Sequence, residues 1–280
     1  MIQQLNPSLQ LSILIPMFIL WIILSTFSTI LIYRNQLKRI YAFGLYLISI
    51  AIGGIILGGV PNAIMPIQQI IMTIGLSKPF SSVIPMIIIL GILLASTIFF
   101  GRIFCGFACP FGALQEFASK VQFKSNIKHQ KKVKYTIQIP KKVRLYIRGI
   151  FFIVFLLLGI IWAINLIQLI NPFLGFSFFT NPFIFTFWMP FVLFVVFSLL
   201  SFFIYRPWCT LVCPFGVLAN ITSRISITKL RRTEDCTECS LCESICPMDE
   251  AARDSSKGEC YLCNRCVDVC PQNAIKLIRN

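Results

Sequence analysis

Twelve cysteines in four groups are the residues of this sequence whose types and spacing could do chemistry. Two groups lie near the C-terminus, where residues 236–247 read CTECSLCESICP and residues 260–271 read CYLCNRCVDVCP. Both follow the pattern Cys-x-x-Cys-x-x-Cys-x-x-x-Cys-Pro, which brings three thiolates to one iron–sulfur cube and sends the fourth to another. Structural zinc sites use paired sets of four ligands, so three-plus-one runs in tandem favour iron–sulfur over zinc.

The two predicted 4Fe-4S clusters each take three cysteines from one run and the fourth from the other run. The first set is Cys236, Cys239, Cys242 and Cys270. The second set is Cys260, Cys263, Cys266 and Cys246. No nucleotide-binding or flavin-binding sequence accompanies these runs, so the unit is expected to relay one electron at a time.

The other two groups of cysteines repeat one motif at the ends of two apolar runs. Residues 101–112 read GRIFCGFACPFG, and residues 205–216 read YRPWCTLVCPFG. Four thiolates in a medium of low dielectric constant would repel one another unless a metal neutralised them, and soft thiolates select iron–sulfur or zinc. The predicted third redox metal site consists of Cys105, Cys109, Cys209 and Cys213. Neutral thiols that pack helix ends are the alternative.

The composition predicts a membrane protein. Hydrophobic residues make up 57% of the chain and charged residues 12%, whereas soluble domains average about 25% charged residues. Five apolar runs are each long enough to cross a bilayer, which makes core helices of a soluble protein the weaker alternative. These predicted transmembrane helices are residues 11–33, 40–60, 83–104, 149–170 and 183–205.

The basic residues predict the orientation of these helices. Residues 34–39 and 102–148 contain fourteen Lys and Arg, whereas the connections 61–82 and 171–182 contain only Lys78. Because cytoplasmic loops hold the excess of Lys and Arg, we expect the N-terminus outside and all twelve cysteines at or beyond the cytoplasmic ends of the helices. Cytoplasmic thiols stay reduced, so the cysteines are predicted to bind metal and not to form disulfides.

The two copies of the Cys-x-x-x-Cys-Pro motif belong to two longer repeats that run in the same direction. Parallel repeats are related by a pseudo-two-fold axis along the membrane normal, which would bring the two cysteine pairs together. Pro110 and Pro214 suit the first turn of a helix, and Gly112 and Gly216 would permit close backbone approach. The predicted domains are a first transmembrane helix in 1–39, repeat 1 in 40–120, a basic cytoplasmic loop in 121–148, repeat 2 in 149–229 and an α+β two-cluster ferredoxin in 230–280.

Two single residues narrow the chemistry further. His129 is the only histidine, so a bis-histidine haem is excluded. Glu116 is the only acidic residue before Glu234. It is interpreted as a surface residue of a helix, and a proton acceptor for quinol chemistry is the alternative.

Residues 230–280 resemble a two-cluster bacterial ferredoxin, including the AIKLI tail as a closing strand. Together with the two Cys-x-x-x-Cys-Pro motifs, the chain from residue 40 onward resembles the membrane polyferredoxins. That family includes NapH-type subunits, NosR-type proteins with a flavin-binding domain ahead of the membrane part, and CcoG-type copper reductases with an immunoglobulin-like domain after it. The architecture is nearest to the NapH type.

This resemblance implies an electron-transfer subunit of an oxidoreductase in the cell membrane. Its expected partners are the lipid bilayer, quinol and a partner redox subunit such as a reductase, cytochrome or flavoprotein, with no role in nucleic-acid binding. The expected cofactors are two 4Fe-4S clusters, with a third iron–sulfur centre and quinone as further candidates. The alternatives are a copper or metal reductase in cofactor assembly and a redox-sensing regulator.

Overall fold

The computed structural model of the chain describes residues 7–34, 37, 39–77, 83–123, 137, 139–162, 166–179 and 188–279. His129, Lys78 and residues 124–136 of the basic loop lie outside the described residues. Long helices dominate the part of the structure before residue 226, and a small unit with two short strands follows it.

The first half contains five α-helices, which differ in length because Pro and Gly residues interrupt the apolar runs. They are α1 (Pro7–Tyr33), α2 (Arg39–Ile48), α3 (Ile64–Gly75), α4 (Ile84–Phe100) and α5 (Pro110–Phe123). A π-helical segment, Ser49–Ile56, continues α2, and a second one, Phe104–Ala108, precedes α5. Such π-helical turns are often found at functional sites.

The second half is also helical, with one long helix followed by shorter ones. Its helices are α6 (Lys141–Ile161), α7 (Leu166–Ile170), the 3-10 helix Pro172–Phe179, α8 (Trp188–Leu200), α9 (Pro207–Leu211) and α10 (Pro214–Arg224). Pro110 and Pro214 begin α5 and α10, as the sequence predicted, because the missing N–H of proline costs nothing in a first turn.

One described helix, Lys141–Ile161, is long and apolar enough to cross a membrane by length and composition. Each of the five predicted transmembrane runs nevertheless overlaps an apolar helix. Among the residues whose side chains are described, the shorter apolar helices are Ile19–Tyr33, Ile40–Ile56, Ile64–Gly75, Ile84–Phe100 and Trp188–Leu200.

The described parts of the connections 61–82 and 171–182 lie close to the cysteine motifs. Ala63, Ile64 and Phe173 line a cavity together with the cysteines of the two Cys-x-x-x-Cys-Pro motifs. A Cβ atom on Gly59, at the end of the second apolar run, would lie 2.4 Å from the carbonyl oxygen of Phe173, so this run and the connection 171–182 approach each other closely. Irregular backbone is tolerated in such a position where protein surrounds it.

Two predicted domain boundaries also need correction. Residues 141–148, predicted as loop, form the first two turns of α6, and Arg144 and Arg148 are buried there by contacts with the C-terminal unit. That unit begins earlier than residue 230, because its first strand, β1 (Thr228–Arg232), crosses the predicted boundary. The basic residues of this segment suggested an exposed loop because the sequence does not show that Arg148 binds the buried Glu259.

The C-terminal unit is a small ferredoxin-like fold. Strand β1 pairs antiparallel with β2 (Ile275–Arg279), with Leu230 opposite Leu277, so the predicted closing strand is present. Helices α11 (Leu241–Ile245) and α12 (Arg265–Asp268) lie within the two cysteine runs and pack against each other, and α12 also contacts β2. The unit is attached to the end of α4, where the backbone N–H of Ile227 donates to the carbonyl oxygen of Ile98 at 2.7 Å.

Candidate functional site: three cysteine-lined cavities

The eight cysteines of the C-terminal runs surround two separate cavities. One cavity is lined by Cys236, Cys239, Cys242 and Cys270. The other is lined by Cys246, Cys260, Cys263 and Cys266. The structure therefore brings together the same two sets of four that the exchange of fourth cysteines predicted.

The backbone of the two runs repeats with a period of 24 residues. Glu238, Ser240 and Asp249 have positive φ angles of 54°, 57° and 56°, and their counterparts Leu262, Asn264 and Asn273 have 55°, 66° and 50°. Left-handed residues in such turns point backbone N–H groups into a concavity that suits an anionic cluster. The N–H groups of Glu250 and Ala274 each donate to a cysteine sulfur, Cys246 Sγ and Cys270 Sγ, at 3.3 Å.

The donor sets fit clusters of several atoms. Within the described residues, no three His, Cys, Asp or Glu side chains stand close enough together to hold a single metal ion. The cysteines instead surround two cavities into which their sulfur atoms can donate. Cys246 and Cys270 also accept N–H···S hydrogen bonds. Sulfur ligands with such hydrogen bonds are typical of iron–sulfur sites. When bound, a 4Fe-4S cluster would supply one-electron redox chemistry at each site.

The third cavity lies at the ends of the long helices and is lined by all four cysteines of the Cys-x-x-x-Cys-Pro motifs, Cys105, Cys109, Cys209 and Cys213. We call it the four-thiol cavity. Cys105, Cys109 and Cys209 are buried, with Cys109 only 7% exposed, and Cys213 is partly exposed. The π-helical segment Phe104–Ala108 carries one pair, and α9 with its following turn carries the other. Trp208 also lines this cavity, and its buried indole N–H has no hydrogen-bond partner among the described atoms.

Burial makes these thiols hard to ionise without a metal. It raises the pKa of Cys209 to about 11, with a further contribution from Cys105 against the lowering effect of Arg206. Burial raises the pKa of Cys213 further, and the neighbouring Cys209 and Cys105 add to the shift. Because only thiolates ligate metals, occupation of this cavity must release protons.

Two arginines tie the motifs to each other, and both stand three residues before a first cysteine. Arg102 donates from Nη2 to the carbonyl oxygen of Gly216 in the second motif at 3.0 Å. Arg206 donates from Nη1 to the carbonyl oxygen of Cys105 in the first motif at 2.7 Å. Both side chains have no exposed surface. The repeated arginine was visible in the sequence, but its reach into the other motif was not.

Glu116 is fully buried, so its interpretation as a surface residue is wrong. Its carboxylate binds Arg206 and Arg265 at 2.8 Å each and accepts from the Tyr205 hydroxyl at 2.6 Å. Burial alone would raise the pKa of Glu116, but Arg265, Arg206 and Lys120 outweigh it and lower the pKa to about 2. The group stays ionised, which disfavours the alternative role as a proton acceptor.

A second buried carboxylate, Glu259 of the ferredoxin unit, lies beside the second motif. It binds Arg148 at 2.6 Å and accepts from Asn220, which stands seven residues after Cys213 as Glu116 stands seven after Cys109. Arg148 in turn donates to the carbonyl oxygen of Cys209 at 3.3 Å, as Arg206 does to Cys105. Sequence reasoning missed Glu259 because it belongs to the ferredoxin unit; its position beside Cys260 was the only signal.

Tyr261 lies between the ferredoxin unit and the four-thiol cavity. It is 3% exposed and lines both that cavity and the one around Cys246, Cys260, Cys263 and Cys266. Its hydroxyl accepts from Arg102 at 3.1 Å, and the guanidinium of Arg206 lies 4.5 Å from the centroid of its ring. Nothing in the spacing of the sequence identified this tyrosine.

The comparisons with known protein families match the cysteine regions. Residues 82–128 and 186–233, which contain the two Cys-x-x-x-Cys-Pro motifs, match the model of a 4Fe-4S binding domain. Residues 256–276, which contain the second ferredoxin run, match another model of a 4Fe-4S binding domain. No solved structure matches the chain significantly.

Relatives of known sequence cover the larger part of the chain. An uncharacterized protein of Methanocaldococcus jannaschii is 29% identical over 185 residues, 66% of this chain and 75% of the relative. The methylamine utilization ferredoxin-type protein MauN of Paracoccus denitrificans is 26% identical over 57% of this chain and 53% of its own length. The regulatory protein NosR of Stutzerimonas stutzeri is 30% identical over 63% of this chain and 25% of its own length.

Proposed function

We propose that this chain, a 4Fe-4S protein of the membrane polyferredoxin type, relays single electrons between a donor and a partner redox subunit at a membrane. The observation that carries the proposal is the row of three cavities, each lined by four cysteines, with adjoining cavities sharing residues. Quinol or a cytoplasmic reductant is the proposed donor. The match to NapH-type subunits in particular stays a prediction.

The proposed ligands are the two sets of ferredoxin cysteines and, for a third iron–sulfur centre, the cysteines of the four-thiol cavity. Three supports favour the third centre: the cavity itself, the match of both motif regions to a 4Fe-4S binding domain, and the buried arginines around it. Arg102 and Arg206 would offset the negative charge of four thiolates, as buried charges require compensation. Their hydrogen bonds would hold the two pairs of cysteines in one arrangement.

The proposed fold is a membrane body of five transmembrane helices arranged as two parallel pseudo-repeats. Its support is a similar arrangement at the two motifs. Arg206 donates to the carbonyl oxygen of Cys105 and pairs with Glu116. Arg148 donates to the carbonyl oxygen of Cys209 and pairs with Glu259. A Cβ on Gly112 would come within 2.6 Å of the Cys105 carbonyl oxygen, and one on Gly216 within 3.0 Å of that of Cys209. Both glycines thus serve the close approach that the motif predicted.

Apolar side chains at the surface support a bilayer around this body. Soluble monomers rarely expose contiguous apolar patches larger than a few hundred Å², but large hydrophobic residues are exposed along α1, α4, α6 and α8. Examples with more than half of their surface exposed are Ile22, Ile23, Ile88, Ile150, Ile153, Val192 and Leu199.

The proposed orientation has the ferredoxin unit in the cytoplasm and the N-terminus outside. The basic ends of the helices meet the ferredoxin unit: Asn264 donates to the carbonyl oxygen of Leu37 at 3.2 Å, Arg102 reaches Tyr261, and Arg148 reaches Glu259. The Lys and Arg excess of these segments would therefore lie on one side, as retention of basic residues in the cytoplasm requires.

Membrane vesicles provide the test of this function. In anaerobic inside-out vesicles, the impermeant reductant dithionite should produce the paramagnetic resonance signals of the ferredoxin clusters. A short-chain quinone, added after the excess dithionite has been removed, should reoxidise the clusters and accept several electrons per chain when a slow cytoplasmic-side donor such as photoreduced deazaflavin is supplied. Right-side-out vesicles should give the signals only after detergent is added. Signals of equal size in intact vesicles of both kinds would contradict the orientation, and reduced clusters that no acceptor reoxidises would contradict the relay.

A redox-sensing regulator remains the second candidate, favoured by the similarity to a regulatory protein over 63% of this chain. A sensor needs a change of state in its clusters but no sustained flux. Repeated turnover with the quinone in the vesicle experiment would decide for the relay, and a single stoichiometric oxidation would decide for the sensor.

The exchange of fourth cysteines leads to a separate prediction. Replacing Cys246 with Ala should remove the cluster signal of the cavity lined by Cys260, Cys263 and Cys266, since each cube needs its fourth thiolate from the other run. The signal of the first set should persist. The matched variant Cys270→Ala should give the reverse pattern in paramagnetic resonance. If each variant instead lost the signal of the cluster held by the three other cysteines of its own run, the exchange would be refuted.

A further inference from the structure

The three cavities form a linear sequence, and Tyr261 occupies one of its two junctions. The cavity of Cys236, Cys239, Cys242 and Cys270 shares Arg232 and Ile275 with the next cavity but no residue with the four-thiol cavity. The second ferredoxin cavity shares Tyr261 with the four-thiol cavity. The first cavity is the outer one, because Cys239 is exposed at the surface.

The backbone beside Tyr261 touches the first membrane motif directly. A Cβ atom on Gly106, between Cys105 and Cys109, would lie 2.6 Å from the carbonyl oxygen of Tyr261, closer than real Cβ contacts allow. The second motif has Thr210 at the position that matches Gly106, and its hydroxyl donates to the carbonyl oxygen of Arg206 at 2.9 Å. The glycine of the first motif therefore permits a direct backbone contact with the ferredoxin unit, and the threonine at the matching position of the second motif bonds to its own helix instead.

The side chain of Tyr261 is held in one position by groups from two parts of the chain. Arg102 donates to its hydroxyl, and the guanidiniums of Arg102 and Arg206 lie 5.2 and 4.5 Å from its ring centroid. The ring of Tyr205 packs edge-on at 6.2 Å. Both arginines also bind the backbone of the membrane motifs, so the ring is fixed relative to the four-thiol cavity as well as to Cys260 and Cys263.

We propose that Tyr261 is the residue that positions the inner ferredoxin centre against the four-thiol centre and carries the electronic contact between them, an inference that rests on the proposed relay function. One electron leaves one centre and enters the other, in either direction, with no proton transfer and no bond formed or broken. Tunnelling falls steeply with separation, so a packed ring and a direct backbone contact favour this route over one from the outer cavity.

The test compares two variants that open this contact from opposite sides. Tyr261→Leu removes the ring, and Gly106→Ala places a methyl group against the Tyr261 carbonyl without changing the ferredoxin unit. The controls are Tyr146→Leu, whose ring is 70% exposed, and Gly91→Ala, whose added Cβ would meet no atom within 4 Å. Each purified protein is reduced with photoreduced deazaflavin, frozen at intervals, and measured by paramagnetic resonance.

Both contact variants should slow the appearance of the four-thiol signal by about tenfold or more and weaken its magnetic interaction with the inner ferredoxin centre, while iron content stays at the wild-type value. Tyr261→Phe, which keeps the ring, should transfer electrons at nearly the wild-type rate. Wild-type rates and an unchanged magnetic interaction in Gly106→Ala would overturn the inference, even if Tyr261→Leu lost a cluster. If the wild-type protein itself never develops a third signal, the proposed third centre fails and this inference fails with it.

Discussion

Replacing Cys105 and Cys209 together with Ala should lower the iron content of anaerobically purified protein to about eight atoms per chain. The wild-type protein should contain about twelve if the four-thiol cavity holds a cubane, or about ten if it holds a two-iron cluster. The two residues come from different motifs, so the double variant leaves one thiol on each side of the cavity.

The physical reason is the charge and burial of this cavity. With two thiols missing, the remaining Cys109 and Cys213 cannot complete a four-sulfur ligand set. Metal-free, these buried thiols are neutral, and the arginines nearby lose the anionic centre that would offset their charge. Electron transfer to the membrane side should stop, while the signals of both ferredoxin clusters persist.

The matched control is Cys239→Ala in the outer ferredoxin cavity, which should lose that cluster and keep the four-thiol signal. Iron and zinc are measured on the same samples. A wild-type count of about eight iron atoms, without zinc, would contradict a metal in the four-thiol cavity and leave a thiol pair or simple packing.

Replacing Glu116 with Gln should destabilise the junction between the membrane body and the ferredoxin unit by about 3–5 kcal/mol, since it leaves Arg206 and Arg265 buried without their counter-charge. A loss of this size corresponds to a fall of about 6 °C or more in the unfolding midpoint. The measurement is thermal unfolding in detergent, followed by the visible absorbance of the clusters.

Glu238→Gln is the matched control, because the Glu238–Arg253 pair is exposed at both ends. Exposed pairs contribute about 0–1 kcal/mol, so this variant should unfold like the wild type. Equal midpoints for the two variants would refute the role of Glu116 as the tie between the units.

The same carboxylate predicts a dependence of stability on pH. The pKa of Glu116 is about 2 in the folded protein and about 4.3 in an unfolded chain. A lowered pKa stabilises the fold above the unfolded value, and that contribution is lost as the pH falls from about 4.3 toward about 2. Glu116→Gln should lack this part of the acid sensitivity.

Much of the site could be predicted because iron–sulfur ligation is encoded by local spacing. The two ferredoxin ligand sets, the proline starts of α5 and α10 and the closing strand all follow from rules about neighbouring residues. The two Cys-x-x-x-Cys-Pro pairs, which lie about a hundred residues apart in the chain, line one cavity in the structure.

The errors arose where a residue's partner is distant in the chain. Glu116 reads as a surface residue because helix periodicity says nothing about Arg265, 149 positions away. Residues 141–148 read as a loop because their charges suggest solvent, whereas Arg148 is buried against Glu259.

The sequence by itself determined the types and spacing of the residues that could do chemistry: cysteines in four groups, apolar helices and a C-terminal ferredoxin-like unit. These depend on residue type and short-range spacing, which the chain carries in any conformation. Only the tertiary structure decided how the units connect, through Tyr261 against Gly106 and the two buried carboxylates with their arginines. Such contacts join residues far apart in the chain, and their energies come from shared burial, which exists only after the chain has folded.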